Sequence, residues 1–326
     1  MQLGIAGDDA WLIDAPAMDD TAAIKALIED PDIVKVLHDA RQDLCILKSW
    51  CGALPRAIFD TRLAAGFCGF SAAISLQALT RDVLGIEMEK SQTQTDWLRR
   101  PLSARQIEYA RNDVRHMLEL RDRLLELAQA RGTLAWLTEE MLALDAPALY
   151  AERPLTELWE RIKGASGLAG GGLTVLRELA AMRETTARQH NLPRAWVMDD
   201  TLLLTLAERP PQSAADLLKT TGLSANHRAR IGEDILAACR RGQAVTPEQM
   251  PNRRRSDDSL KKRADTALAW LKDRGTAMNV DATLFGNRAE ITAILAATDA
   301  GERTSQPLLR GWRYQAAGRE FLASFG

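Results

Sequence analysis

Tyr109 and Asp113 stand four residues apart, close to one helical turn, so on a helix their side chains share a face. Around them Ile107, Ala110, Val114, Met117, Leu118 and Leu125 repeat at helical spacing. Tyr109, Asp113 and His116 fall off that stripe, so this helix buries one side and turns a phenol, a carboxylate and an imidazole to another. Asp43 is a further carboxylate on an amphipathic segment nearer the start of the chain. Carboxylates of this kind suit divalent metal ions. Taken one at a time, the same residues also suit plainer roles. Tyr109 could pack half-buried, Asp113 could pair with Arg111 or Arg115, and Asp43 could be a solvated helix residue.

Charge divides along the chain in the same sense. Residues 1–130 hold 15 Lys and Arg against 20 Asp and Glu, whereas the remainder holds 27 against 24. An acidic front half can hold metal-seeking carboxylates, and a mildly basic back half can meet phosphate. Two basic clusters are candidates for that contact: Arg99 with Arg100, and Arg253, Arg254 and Arg255 followed by Lys261, Lys262 and Arg263. The four cysteines form no Cys-x-x-Cys pair and the four histidines do not cluster with them, which argues against zinc and for reduced cytosolic thiols. No stretch approaches the ~20 apolar residues of a membrane span, and the N-terminus is not a secretory signal.

The elements that must carry these residues follow from pattern and punctuation. Leu3–Ala6 and Trp11–Asp14 flank Gly7-Asp8-Asp9, a hairpin signal. Helical spacing covers Thr21–Ile28, Asp39–Trp50 up to Gly52, and Ile74–Leu84 up to Gly85. Ile33–Leu37 and Ala57–Phe59 read as short buried strands. Asp60 suits the N-cap of an adjoining helix, and His38 a structural role at a strand end. The Tyr109 helix is expected to run unbroken over Ala104–Arg131, opened by a Ser103/Gln106 capping box and closed by Gly132. Beyond Leu155 only short helices separated by turns are expected, in two groups joined by a linker at Ala244–Asp258.

Three stretches taken together resemble one family. They are Lys35-Val36-Leu37-His38-Asp39-Ala40-Arg41-Gln42-Asp43-Leu44, the run Phe59-Asp60-Thr61-Arg62-Leu63-Ala64-Ala65, and Asp96-Trp97-Leu98-Arg99-Arg100-Pro101-Leu102 leading to Glu108-Tyr109-Ala110-Arg111-Asn112-Asp113-Val114. They resemble the ribonuclease D family of DEDD-type 3′→5′ exonucleases. The back half resembles that family's helical HRDC domain, through Asn191-Leu192-Pro193-Arg194, Val197-Met198-Asp199-Asp200 and Arg230-Ile231-Gly232.

The resemblance implies an α/β, ribonuclease H-like exonuclease domain at residues 1–132. It implies an HRDC domain at 150–243 and a second, divergent HRDC-like helical domain at 250–326. It also implies two-metal hydrolysis of RNA 3′ ends with Mg²⁺ or Mn²⁺, Asp43 and Asp113 as metal ligands, and Tyr109 as the group that orients the attacking water. The implied partner is RNA, with tRNA precursors as the substrate class, in the cytoplasm, with no membrane and no obligate protein partner. One motif departs. The family's Asp-x-Glu doublet on the opening strand has no counterpart, because Met1-Gln2-Leu3-Gly4 resembles the second strand, and Asp8 and Asp9 are poor substitutes in a turn. The expected reason is a start upstream of Met1. The alternative is a catalytically inactive homologue that still binds RNA.

Overall fold

The structure is a computed structural model that describes residues 1–5, 10–88, 95–220, 222–246 and 258–326. The chain divides into two compact units, Met1–Ala151 with Asp257–Gly326, and Glu152–Ser256.

In the first unit, β1 (Gln2–Gly4) and β2 (Ala10–Leu12) pair antiparallel, with Leu3 opposite Trp11. The Gly7-Asp8-Asp9 turn expected between them lies outside the described residues. After α1 (Ala22–Glu29), β3 (Lys35–Leu37) and β4 (Ile58–Asp60) pair in parallel, Leu37 opposite Asp60. Parallel strands need a crossover, and α2 (Ala40–Cys51) supplies it. It ends where Gly52 turns to positive φ, a conformation that glycine adopts without Cβ strain. The expected strand at Ile33–Leu37 is shorter than its apolar run, for Ile33 and Val34 precede the pairing and are exposed. Next come α3 (Thr61–Phe67) and α4 (Leu76–Leu84).

The long helix expected over Ala104–Arg131 is two helices, α5 (Ala104–Arg115) and α6 (Met117–Ala130). His116 lies between them at φ −101° and ψ 6°, off the helical values. The predicted capping box is present: Gln106 N–H donates to Ser103 Oγ at 3.2 Å, and Ser103 N–H to Gln106 Oε1 at 2.9 Å. α5 packs on β1 and β2, whereas α6 packs on α3, α4 and β3. α7 (Leu134–Ala143) carries the unit past residue 132, and Tyr150 is buried with Ala40, Leu44 and Ile58.

The second unit is wholly helical among its described residues. It contains α8 (Gly170–Gln189), α9 (Arg194–Val197), α10 (Asp200–Glu208), α11 (Ala214–Leu218) and α12 (Ala225–Gln243). Trp159, Leu176, Leu179, Leu203, Leu206 and Ile235 fill its core.

The sequence predicts a separate helical domain at 250–326; the structure places that segment differently. α13 (Asp258–Met278), α14 (Arg288–Asp299), α15 (Gly311–Arg313) and α16 (Arg319–Phe325) share one continuous core with the front of the chain. The reason is aromatic packing. Trp312 lies edge-on to Phe67 at 5.0 Å and stacks on Trp136 at 5.5 Å between ring centroids, and its Nε1–H donates to Glu140 at 2.7 Å. Asp281 accepts the Ala72 N–H at 2.7 Å.

Candidate active site

α5 is fixed at both ends. Near its start the buried Gln106 amide donates to Thr95 Oγ1 and to the Asp96 carbonyl, each at 3.2 Å, tying the preceding loop to the first turn. Asp96 Oδ1 accepts the Leu98 N–H at 2.9 Å, and the same loop lays Trp97 beside Tyr109, ring centroids 6.0 Å apart and tilted by 45°. Toward its far end the helix sits close on β1. A Cβ on Gly4 would lie 2.8 Å from the Val114 carbonyl oxygen, so only glycine permits that approach. Val114 follows Asp113 directly, and the height of Asp113 over β1 is therefore set by backbone contact.

Within this frame Tyr109 and Asp113 are half-buried on one face of α5, as their spacing predicts. Burial raises the Asp113 carboxyl to about 6. Burial, and then the Asp113 charge, raises the Tyr109 phenol. Asp43 lies in the first turn of α2, and its carboxyl is raised first by burial and then by the charges of Asp39 and Asp60. Neither Asp43 nor Asp113 has a hydrogen-bond or ion-pair partner among the described residues.

The structure places Tyr109 and Asp113 on one face of α5 and Asp43 in the first turn of α2. α2 packs on α1 and on the Pro147–Tyr150 turn, while α5 packs on β1 and β2. Carboxylates without a cationic partner, half-buried at Asp113 and exposed at Asp43, fit a divalent cation in kind, being hard oxygen donors. No group of three or more His, Cys, Asp or Glu side chains arranged to hold a metal is found among the described residues.

The basic candidates separate. Arg100 Nε donates to Asp14 Oδ2 at 2.7 Å, and its Nη1 donates to the Trp97 and Arg99 carbonyls at 2.8 and 3.1 Å. That guanidinium therefore fastens the Trp97 loop to the end of β2, while Arg99 is exposed beside it. Arg253, Arg254 and Arg255 lie outside the described residues. Downstream of them, Lys261 pairs with Asp258 at 2.9 Å and Arg263 with Asp299 at 2.8 Å.

Three features escape the sequence reading. Asp14 holds Arg100, Trp97 lies against Tyr109, and Asp60 accepts from a second helix besides its own. The Asp96-Trp97 pair ahead of the capped helix was a signal for the second of these; the other two link residues far apart in sequence.

A domain of this α/β pattern, with an acid-bearing helix over its strands and a separate helical unit, matches a known combination. A family model described as 3′-5′ exonuclease matches residues 1–129, and one for the HRDC domain matches residues 172–239. The chain belongs to the ribonuclease D family. It is 34% identical to ribonuclease D of Desulfotalea psychrophila over 100% of this chain and 86% of that protein. It is 35% identical to that of Sphingobium indicum, over 94% of this chain and 79% of that protein. The crystal structure of Escherichia coli RNase D, described as an exoribonuclease involved in structured RNA processing, superposes with a TM-score of 0.86 at 26% identity. That match covers 99% of this chain and 86% of the other. A protein from Bifidobacterium adolescentis shares the fold at 19% identity and a TM-score of 0.65. The fold is therefore the ribonuclease H-like exonuclease fold with a helical HRDC region. DEDD exonucleases generally depend on divalent metal. No helix among the described residues is long and apolar enough to cross a membrane.

Proposed function

We propose that the protein is a cytoplasmic 3′→5′ exoribonuclease that shortens RNA 3′ ends, with tRNA precursors as its substrate class. The observation that carries this reading is the Tyr109–Asp113 face of α5, held over β1 by the Gly4 approach and flanked by Trp97. Asp113 and Asp43 would hold Mg²⁺ or Mn²⁺, and bound cations there would supply activation of the water and neutralisation of the leaving oxygen. The chain's own groups do the rest. The Tyr109 hydroxyl holds and orients the attacking water, its proton retained by the raised phenol. Burial of Asp113 favours an incoming positive charge over solvent. Arg99, exposed on the loop that carries Trp97, meets an RNA phosphate, whereas Arg100 keeps that loop in place. Arg253, Arg254 and Arg255 add sequence-independent, salt-sensitive attraction.

The test is incubation of the purified chain with a 3′-tailed RNA and Mn²⁺. Stepwise loss of 3′ nucleotides is expected, abolished by Asp113→Asn with folding intact. An Asp113→Asn variant with an undiminished rate would overturn the assignment. A second reading, an RNA-binding homologue without catalysis, is favoured by the finding that no three or more His, Cys, Asp or Glu side chains group to hold a metal among the described residues. It predicts salt-dependent RNA binding and no shortening at any Mn²⁺ concentration.

A further inference from the structure

We propose that Asp60 is the positioning residue for Asp43, holding with one carboxylate the helix that presents it. The inference rests on the reading of Asp43 as a metal ligand.

Asp60 is the last residue of β4, buried to 7% exposure, and it caps its own helix in the ordinary way. Its Oδ1 accepts the Arg62 N–H at 2.9 Å and the Leu63 N–H at 3.3 Å. The same carboxylate reaches across the sheet. Oδ1 also accepts the Asp39 N–H at 3.0 Å, and Oδ2 accepts the Ala40 N–H at 2.9 Å. Ala40 is the first residue of α2.

That helix has no cap of its own. Asp39, in the N-cap position, makes no side-chain capping bond, and its carboxylate pairs with Arg62. Asp39 also sits at φ 63°, ψ 51°, a left-handed conformation that costs a non-glycine residue of order 1 kcal/mol and persists only where the surroundings impose it. Two of the donors that a helix start leaves unsatisfied are met here from 20 and 21 residues downstream. Asp43 lies three residues after Ala40, less than one turn along. Rotation or fraying at Ala40 therefore moves the Asp43 carboxylate directly. Asp60 is itself rigid, since β4 pairs with β3 up to Leu37–Asp60. A ligand helix whose first turn is set from a paired strand is the arrangement by which an outer carboxylate orients an inner one.

Asp60→Ser separates the two duties. Serine keeps an oxygen for the N-cap of α3, but its side chain is too short to reach Asp39 and Ala40. Mn²⁺ binding to the full chain is measured by electron paramagnetic resonance without RNA, alongside thermal midpoints. Asp60→Ser is expected to remain folded and bind Mn²⁺ about 10- to 100-fold more weakly, as Asp43→Asn does. The double variant should bind no more weakly than Asp43→Asn alone, because both act through the same ligand. Should the serine variant fail to fold, Asp60→Asn gives the same reading: one amide oxygen remains for α3 while its NH₂ opposes the Ala40 N–H. Unchanged Mn²⁺ affinity in the folded Asp60 variant, with Asp43→Asn weakened, overturns the proposal alone. So does an additive double variant. Unchanged affinity in Asp43→Asn, or no Mn²⁺ binding by the unaltered chain, overturns the Asp43 reading and the proposal with it.

Discussion

The phenol of Tyr109 is bracketed by a ring and a charge, with Trp97 to one side and Asp113 one turn along. The ring contact with Trp97 and the hydroxyl can therefore be tested apart. Tyr109→Phe keeps the ring contact with Trp97 and removes the hydroxyl. Hydrolysis is expected to slow by about 100-fold while RNA affinity stays within twofold, as single-turnover kinetics and filter binding would show. His38 gives a second prediction at this scale. Its Nδ1 lies 2.9 Å from Thr61 Oγ1 and its Nε2 3.1 Å from the Ile74 carbonyl. Burial holds its pKa below the usual imidazole value. Arg62 acts in the same direction, against the Ile74 carbonyl and the charges of Asp60 and Asp39. A base depressed in the folded state contributes stability that is present above the unfolded pKa, near 6.5, and lost as pH falls through the folded value. Urea denaturation at pH 7.5 and pH 5 should show the unaltered chain losing stability, and His38→Gln losing less. An equal loss in both would remove His38 as the cause. The shared face of Tyr109 and Asp113 was legible because helical spacing and a capping box fix which residues lie together on a helix. Arg100 was not, because its partner Asp14 lies 86 positions away and no local pattern marks it.

At the scale of elements, punctuation was read well and continuity was not. Ser103 with Gln106, Gly52, Gly85 and Gly132 mark ends where the structure has them, since caps and left-handed turns are local chemistry. The break at His116 had no such mark. Apolar periodicity runs through it, and the interruption follows from two surfaces: α5 must follow β1 and β2 while α6 follows α3, α4 and β3. The contact at Gly4 is the clearest constraint on α5. Adding a Cβ there places it 2.8 Å from the Val114 carbonyl oxygen and 3.2 Å from the Val114 Cβ. Neither atom is the end of a flexible side chain, so the helix must shift or the strand must bend. Gly4→Ala is expected to destabilise the first unit by about 1–3 kcal/mol, read from denaturant midpoints at unchanged slope. Because the displaced backbone adjoins Asp113, the same variant should lose activity beyond what its unfolded fraction explains. Full specific activity in the folded fraction would show that α5 tolerates the shift.

For the molecule as a whole, the C-terminal segment shows where sequence reading stops. Residues 258–326 carry ordinary amphipathic helices, and nothing in their periodicity says which apolar surface they cover. In the structure Phe285, Ile291, Ile294, Trp312 and Phe321 are buried in one cluster with Phe59, Phe67, Leu79, Leu120 and Leu124. Glu139 on α7 accepts the Trp312 N–H at 3.0 Å, and Arg313 Nη1 meets Glu140 at 2.7 Å, so half-buried charges are paired across the same seam. A nuclease domain bounded at residue 132 would thus expose the large aromatic-lined surface that this segment covers. Ending the chain at residue 246 is expected to remove cooperative tertiary structure from the first unit. The near-ultraviolet circular dichroism that the stacked Trp136–Trp312 pair contributes should vanish, and proteolysis should cut α3 and α6 readily. Trp312→Ala makes the same point within the full chain, with an expected cost of about 3–5 kcal/mol for an indole lost from a packed core. The chemistry of α5 should fail in parallel, since α6 follows it directly and packs its buried face on α3, the helix whose Phe67 meets Trp312. Retained protease resistance and activity in the shortened chain would mean that the front residues close their own core, and that the C-terminal helices can leave without disturbing the Tyr109–Asp113 face.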